Sequence, residues 1–252
     1  RSQRLRSQID LRNLPWVDFE QPSDEAYESA SWPVKREDDS RRRRSRRGAP
    51  SGPGNVSFDG EINWHPSAPQ HTDGRATLVY LFTPDIVSDA ARGGFDAVQL
   101  FQQMDQLQAA HARDLLVVGV MVTGAEDTRR RRRNDDGAER EKNAREAAEN
   151  FEKIMRDIPV NHPRAFDPSG RVVTSRLTPD NGDTRSSRDA RFLLPYHILA
   201  SSDKQVRWHG ALIGSLERIA EWEAALDTVL RVDPGIKARR EAEERYINAQ
   251  TD

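Results

Sequence analysis

The sequence contains no cysteine among its 252 residues. That absence removes disulfides, thiolate nucleophiles, zinc–thiolate sites and iron–sulfur clusters at once. It does not locate the protein, because a thiol-free chain tolerates an oxidising or a reducing compartment. Hydrophobic residues are also scarce, at 35% against 32% charged residues. That balance predicts sizeable solvated segments beside one core. No run approaches the about 18 apolar residues of a membrane-spanning helix. A glycine-rich phosphate loop is missing as well, since Gly93-Gly94 stands alone. The sequence opens at Arg1, so it carries no information about targeting.

What is present is unevenly charged. Arg41–Arg44 with Arg46 and Arg47 form one basic block, and Arg129–Arg133 form a second. These eleven arginines belong to a total of 39 basic residues facing 41 acidic ones, so the remaining body is strongly acidic. Both blocks fall in loop-like sequence flanked by aspartates: Asp38 and Asp39, then Asp135 and Asp136. They suit solubilising loops, contacts to an acidic protein surface, or phosphate contacts to nucleic acid. The blocks lack the interleaved aromatics of a single-strand stacking platform.

The chain divides into three parts: residues 1–55 as an extended N-terminal extension, 56–232 as one folded domain, and 233–252 as a charged C-terminal helix. Ser40–Gly54 is Arg, Ser, Gly and Pro without apolar periodicity, the composition of an unstructured segment. Trp16, Phe19 and Trp32 stand out in this tail, and isolated aromatics in a polar tail dock onto something. Either they pack on their own domain or they grip a partner. Thr77–Phe82 and Leu115–Val122 are continuous apolar runs, the pattern of strands buried on both faces. Between them Phe95, Val98, Phe101, Met104 and Leu107 recur at helical spacing. Glu139–Ile158 reads as an amphipathic helix. Tyr196–Ala200 and Gln205–His209 read as a hairpin centred on Ser202 and Asp203, with His197 opposite Trp208. Leu216–Leu230 is a helix with Leu216, Ile219, Ala220, Leu226, Val229 and Leu230 inward. Asp233-Pro234 predicts an N-cap and first-turn proline for a last helix to about Asn248. That helix is nearly all charged, with Arg239/Glu243 and Arg240/Glu244 as i,i+4 pairs, and buries little by itself.

The order β-α-β-α-β-β-α predicts an α/β fold with parallel pairing and a late antiparallel edge. With a proline entering the hairpin, it resembles the thioredoxin-like three-layer sandwich. Four stretches narrow the resemblance to the TlpA and peroxiredoxin-like (AhpC-TSA) thiol–disulfide oxidoreductases: ATLVYLFTPDIVSDA, LLVVGVMVTGAED, NHPRAFDPSGRVV and LLPYHILASSDKQVRWHG. It covers roughly Phe58–Leu230. On that alignment Ile86 stands at the family's tryptophan, Val87 at its attacking cysteine and Ala90 at its resolving cysteine. Thiol–disulfide exchange needs a thiolate, and neither Ser88 nor Asp89 replaces one. The resemblance makes Pro195 the family's cis-proline, with Leu194 as the shelf residue that pairs with an extended peptide. That shelf has either outlived the chemistry or been kept for the fold alone.

Other chemistry is sparse. His65 and His71 lie in a loop without further ligands at useful spacing. His197 and His209 point to opposite sides of the hairpin and cannot share an ion. Asp85 follows the first strand, the position of a helix cap. No catalytic residue, cofactor or metal is assigned. These observations point to a thiol-inactive, thioredoxin-like protein that serves as a protein-binding or structural subunit of an assembly. Trp16, Phe19, Trp32, Leu194 and Pro195 are its contact candidates. An enzyme with non-thiol chemistry and a nucleic-acid-associated protein remain the alternatives. The resemblance implies a bacterial cell envelope.

Overall fold

The computed structural model describes residues 14–33, 55–58, 62–82, 97–121, 137–166, 196–211 and 216–251. Within them run α1 (Asp24–Ser29), β1 (Asn63–His65), β2 (Ala76–Phe82), α2 (Ala97–Ala110) and β3 (Leu115–Met121). These are followed by α3 (Gly137–Asp157), β4 (Arg164–Phe166), β5 (Tyr196–Ala200), β6 (Val206–Ala211), α4 (Leu216–Val232) and α5 (Pro234–Thr251). The six strands form one sheet in the order β1-β4-β3-β2-β5-β6. β2, β3 and β4 are mutually parallel. β5 and β6 add antiparallel strands on one side, and β1 does so on the other. This is a thioredoxin-like fold with a mixed sheet.

Both apolar runs behave as strands covered on two sides, with all seven residues of β2 and all seven of β3 buried. The chain steps from β2 to β3 to β4 in one direction across the sheet. Right-handed crossovers then place α2 and α3 on the same face. That face holds Leu78, Tyr80, Phe82, Val117, Met121 and Leu199, packed by Phe101 of α2, Phe151 of α3 and Trp222 of α4. The opposite face presents Val79, Leu81, Val118, Val120, Ala165 and Ile198. Among the described residues it is lined by Val56, Phe58, Ile62, Trp64 and Tyr196.

Several readings of the sequence need correction. β1 and β4 were not anticipated, because three residues are too few to show a period. β4 matters: it makes α3 the helix of a parallel crossover. On α2, Val98 is 40% exposed, and Leu100 takes the inward place beside Phe101 and Met104. On α4, Ile219 and Ala220 face solvent. The inward stripe is Trp222, Ala225, Leu226 and Val229. A buried Trp removes more apolar surface from water than an Ile, so the helix rotates to bury it.

The hairpin register also shifts. His197 pairs with Gly210 and Leu199 with Trp208, with an irregularity between Leu199 and Ala200. The cause is Lys204, whose φ of 68° inserts a left-handed residue after the Ser202-Asp203 turn, as in a bulged hairpin loop. His197 and His209 still fall on opposite faces.

The C-terminal helix is the largest correction. Asp233 caps it as predicted, its Oδ1 accepting from the Gly235 N–H at 2.9 Å. But α5 buries Ile236, Arg239, Ala242 and Glu243. Its apolar content is low, yet its arginines find carboxylates and carbonyls elsewhere in the fold. Arg239 pairs with Glu243 as the spacing predicted, whereas Arg240 reaches Asp114 rather than Glu244.

Candidate functional site

The resemblance places its site where β2 ends and β5 begins. Ile86, Val87, Ala90, Leu194 and Pro195 lie outside the described residues, as do Asp85, Ser88, Asp89 and both arginine blocks. The flanking frame is described. Leu81, next to the last residue of β2, pairs with Tyr196, the first residue of β5. The end of β2 and the start of β5 therefore lie side by side. The Tyr196 hydroxyl meets His209 Nδ1 at 2.5 Å. Among the described residues the cis X–Pro bond is His65–Pro66.

Beneath this frame lies a polar network in the core. The Tyr80 hydroxyl is 2.6 Å from His162 Nε2. On the ring's other side, His162 Nδ1 is 3.2 Å from Asp105 Oδ1. Asp105 also accepts from the backbone N–H of Asn161 at 2.8 Å and of His162 at 3.0 Å. One carboxylate of α2 thus fixes the loop that leads into β4. Tyr80, His162 and Arg164 are all fully buried. Gly119 on β3 makes room for the phenol, since a Cβ there would collide with the Tyr80 hydroxyl.

Electrostatics orient the protons. Burial pushes His162 down to about 4, against the opposing pull of Asp105, so the imidazole is neutral near neutral pH. Burial alone would raise Asp105, but the hydrogen bonds from Asn161 and His162 outweigh it and keep the carboxyl ionised. An ionised carboxylate only accepts. His162 therefore donates from Nδ1 to Asp105, which leaves Nε2 to accept from Tyr80. Burial raises the Tyr80 phenol, so it stays protonated. Arg164 Nη1 donates to the Ile158 carbonyl, while its Nε and Nη2 find no partner among the described residues.

At the opposite end of β2, the N-terminal extension docks as a strap. The Trp16 ring stacks on His71 at 5.0 Å. The guanidiniums of Arg113, Arg75 and Arg239 lie 4.5, 5.4 and 5.7 Å from its centre. Arg113 donates to the Leu14 carbonyl at 2.8 Å and to Glu243 at 2.6 Å. Arg239 donates to the Gly74 carbonyl at 3.0 Å and pairs with Asp114 and Glu243. Phe19 lies against Gly74, where φ is +64° and an added Cβ would strike the ring. Burial, then the neighbouring Arg239, lowers Arg75 to about 10. Farther along, the Tyr27 hydroxyl bonds Ser202 Oγ at 3.0 Å, and Ser202 in turn bonds Asp233. Trp32 donates to the Tyr27 carbonyl at 2.7 Å and lies 3.8 Å under Arg207.

Trp16, Phe19 and Trp32 are therefore engaged by their own domain, the first two beside Gly74 and Arg239 and the third beside Arg207, each residue half-buried. A groove of about 470 Å³ lies beside the strap, between the end of α2 and α5. Its cations Arg113, Arg239 and Arg240 face the carboxylates Asp114, Glu243 and Glu244, so it offers no net charge to a ligand. It also lies at the sheet end opposite the family's site. The roles of Tyr80, His162 and Asp105 escaped the sequence reading, as did the bonds of Arg239 beyond Glu243. A tyrosine inside TLVYLF did signal a buried hydroxyl needing a partner; nothing local named His162, 82 residues away.

Comparison with known proteins finds similarity among solved structures alone. No family model and no curated protein matches the sequence. Among solved structures, a thiol-disulfide isomerase from Corynebacterium glutamicum is similar at 12% identity and TM-score 0.42. The match covers 71% of this chain and 97% of that one. An uncharacterized thioredoxin-like protein from Porphyromonas gingivalis is similar at 7% identity and TM-score 0.37, over 62% and 76%.

Proposed function

We propose that this thioredoxin-like chain works as a protein-binding or structural subunit of a larger assembly, without thiol chemistry. The observation that carries the reading is the combination of an intact sheet and helical layer with a sequence that has no cysteine. A fold kept after its reactive group is gone is kept for its surfaces or its shape. Ile86, Val87 and Ala90 put apolar side chains where the resemblance has a tryptophan and two cysteines. The resemblance makes Leu194 and Pro195 the shelf that takes an extended segment of a partner. The half-buried rings of Trp16, Phe19 and Trp32 each dock on the domain and keep an outer edge for further contact. The resemblance to TlpA-like proteins supports a place in a bacterial cell envelope. No helix among the described residues is long and apolar enough to cross a membrane.

The test is site-specific photocrosslinking in the native cell, with a benzophenone side chain at position 194 and, separately, at position 87. The expected result is one defined protein joined at both positions, and a native particle larger than the chain alone. A free monomer that gives no adduct at either position overturns the reading.

A further inference from the structure

Losing cysteine removes two-electron thiol exchange but leaves the side chains that are oxidised one electron at a time, phenol and indole. In this fold those groups are in register. The Tyr80 ring is 6.3 Å from the His197 ring. His197 is 6.0 Å from Trp222, and Trp222 is 5.4 Å from Trp208. Trp208 lies on the edge strand β6 and is half-exposed. A continuous aromatic path thus runs from the rim of the sheet to a phenol with no solvent contact.

A phenol gives up an electron readily only when its proton has somewhere to go, because the oxidised phenol is a very strong acid. We propose that Tyr80 is a proton-coupled one-electron donor, with His162 as its proton acceptor and Trp208 and Trp222 as the route to an outer-sphere one-electron oxidant at the surface. The oxidant takes one electron from Trp208, and the vacancy passes through Trp222 to Tyr80. The Tyr80 O–H bond then breaks and the proton moves 2.6 Å to His162 Nε2. The products are a neutral phenoxyl, an imidazolium held against the Asp105 carboxylate, and an oxidant reduced by one electron. No other bond changes, and a one-electron reductant reverses the step with the same proton.

The surroundings suit this role. His162 is faced by Tyr80 from β2, Asp105 from α2 and Arg164 from β4. Arg164 opposes a charge on the imidazole, and Asp105 offsets it. Asp105 is partly exposed, which gives the relay a solvent end. The phenoxyl would be sealed from water in a molecule without a thiol to quench it. This chemistry is separate from the assembly role proposed above, and neither depends on the other.

The experiment uses the full chain and photogenerated ruthenium(III) tris-bipyridine, followed by optical absorption and freeze-quench electron paramagnetic resonance. The expected product is a single long-lived tyrosyl radical whose formation slows in D₂O. Tyr80→Phe should abolish it although Tyr27, Tyr196 and Tyr246 remain. An unchanged radical in that variant overturns the proposal. Trp222→Phe leaves the hydrogen bonds intact and should slow radical formation at Tyr80; an unaltered rate overturns the route. His162→Gln should lose the D₂O effect and make radical formation depend on bulk pH. If it keeps the wild-type isotope effect and pH profile, His162 is only a structural partner and the proposal falls.

Discussion

The entrance of β2 is closed by charge and its exit by neutral hydrogen bonds. At the entrance, Arg75, Arg113, Arg239 and Arg240 meet Asp114 and Glu243 around Trp16. Near the exit, Tyr80, a neutral His162 and Asp105 run in a single line. The positions explain the chemistry. At the entrance each buried guanidinium meets carboxylates or carbonyls, Arg240 and Asp114 reach water, and the long arginines join three separate segments. The exit network lies inside the packed face, where an uncompensated charge is costly. Of these three groups only Asp105, which reaches solvent, keeps its charge, and the buried Arg164 guanidinium lies beside them. The ionic end therefore fastens the chain's two extensions onto the domain, and the neutral end fixes strand, helix and loop within it.

The sharpest way to break this comparison is Arg239→Ala. Arg239 is 1% exposed and joins the Gly74 carbonyl, Asp114 and Glu243. Glu243 keeps Arg113 and Asp114 keeps Arg240, but two buried ion pairs, the bond to the Gly74 carbonyl and the packing of the stem go together, a loss of about 3–5 kcal/mol. Urea unfolding should show that loss, and limited proteolysis should cut residues 14–33 and α5 together. If α5 is cut while the strap stays protected, the two extensions are not held by one device.

The exit network should answer to pH instead. His162 is pushed to about 4 in the folded chain, against about 6.5 when unfolded. The unfolded state then binds the extra proton between those values. Stability is thus full above about pH 6.5, falls as pH drops toward 4, and loses roughly 3 kcal/mol in total. Asp105 and Asp114 are both held below the usual carboxylate range. Burial alone would raise each, and hydrogen bonds and neighbouring arginines reverse it. Their share is lost at still lower pH. Unfolding free energy measured from pH 7 to 4 should slope in wild type and be nearly flat in His162→Gln. An equal slope in both would place the acid sensitivity elsewhere.

These two networks were not equally legible. Helices α2, α3 and α4, the two central strands and the hairpin followed from apolar period and turn residues, which are local signals, whereas the short α1 inside the extension was not read. The Asp233 cap was readable for the same reason. The ionic end was half-legible: Arg239 and Glu243 stand at i,i+4, but nothing adjacent in sequence announced Asp114, 125 residues from Arg239. The reading that α5 buries little failed because it counted apolar residues only, whereas an arginine buries its stem when its head is satisfied. The exit network was less legible still, since it joins residues of β2, α2 and the loop before β4. The family's site positions followed from the resemblance, not from any local chemistry in these residues.

Tyr27→Phe tests the second attachment of the strap. It removes one hydroxyl from the buried pair with Ser202 and leaves Asp233 to satisfy Ser202. Losing a single neutral hydrogen bond whose partner stays satisfied costs about 1 kcal/mol. Equilibrium unfolding should show that decrease with an unchanged urea slope. A loss as large as that of Arg239→Ala would mean that Tyr27, rather than the arginine cluster, is the main anchor.

The smallest effect belongs to Arg240→Ala, and it sets the boundary of the ionic end. Arg240 bonds Asp114 through Nε at 3.1 Å and Nη2 at 2.7 Å, yet its side chain is 50% exposed. Asp114 keeps Arg239 when Arg240 is gone, so no buried charge is orphaned. An exposed pair of this kind contributes about 0.2–1 kcal/mol and weakens as salt rises. Unfolding of Arg240→Ala and wild type should therefore differ slightly in dilute buffer and converge in concentrated salt. Arg239→Ala should stay destabilised in both, because Arg239 itself is buried and salt does not restore its packing or its bond to the Gly74 carbonyl. If instead the two variants respond alike to salt, the cluster is one solvated surface network, and the contrast between a buried anchor and an exposed rim disappears.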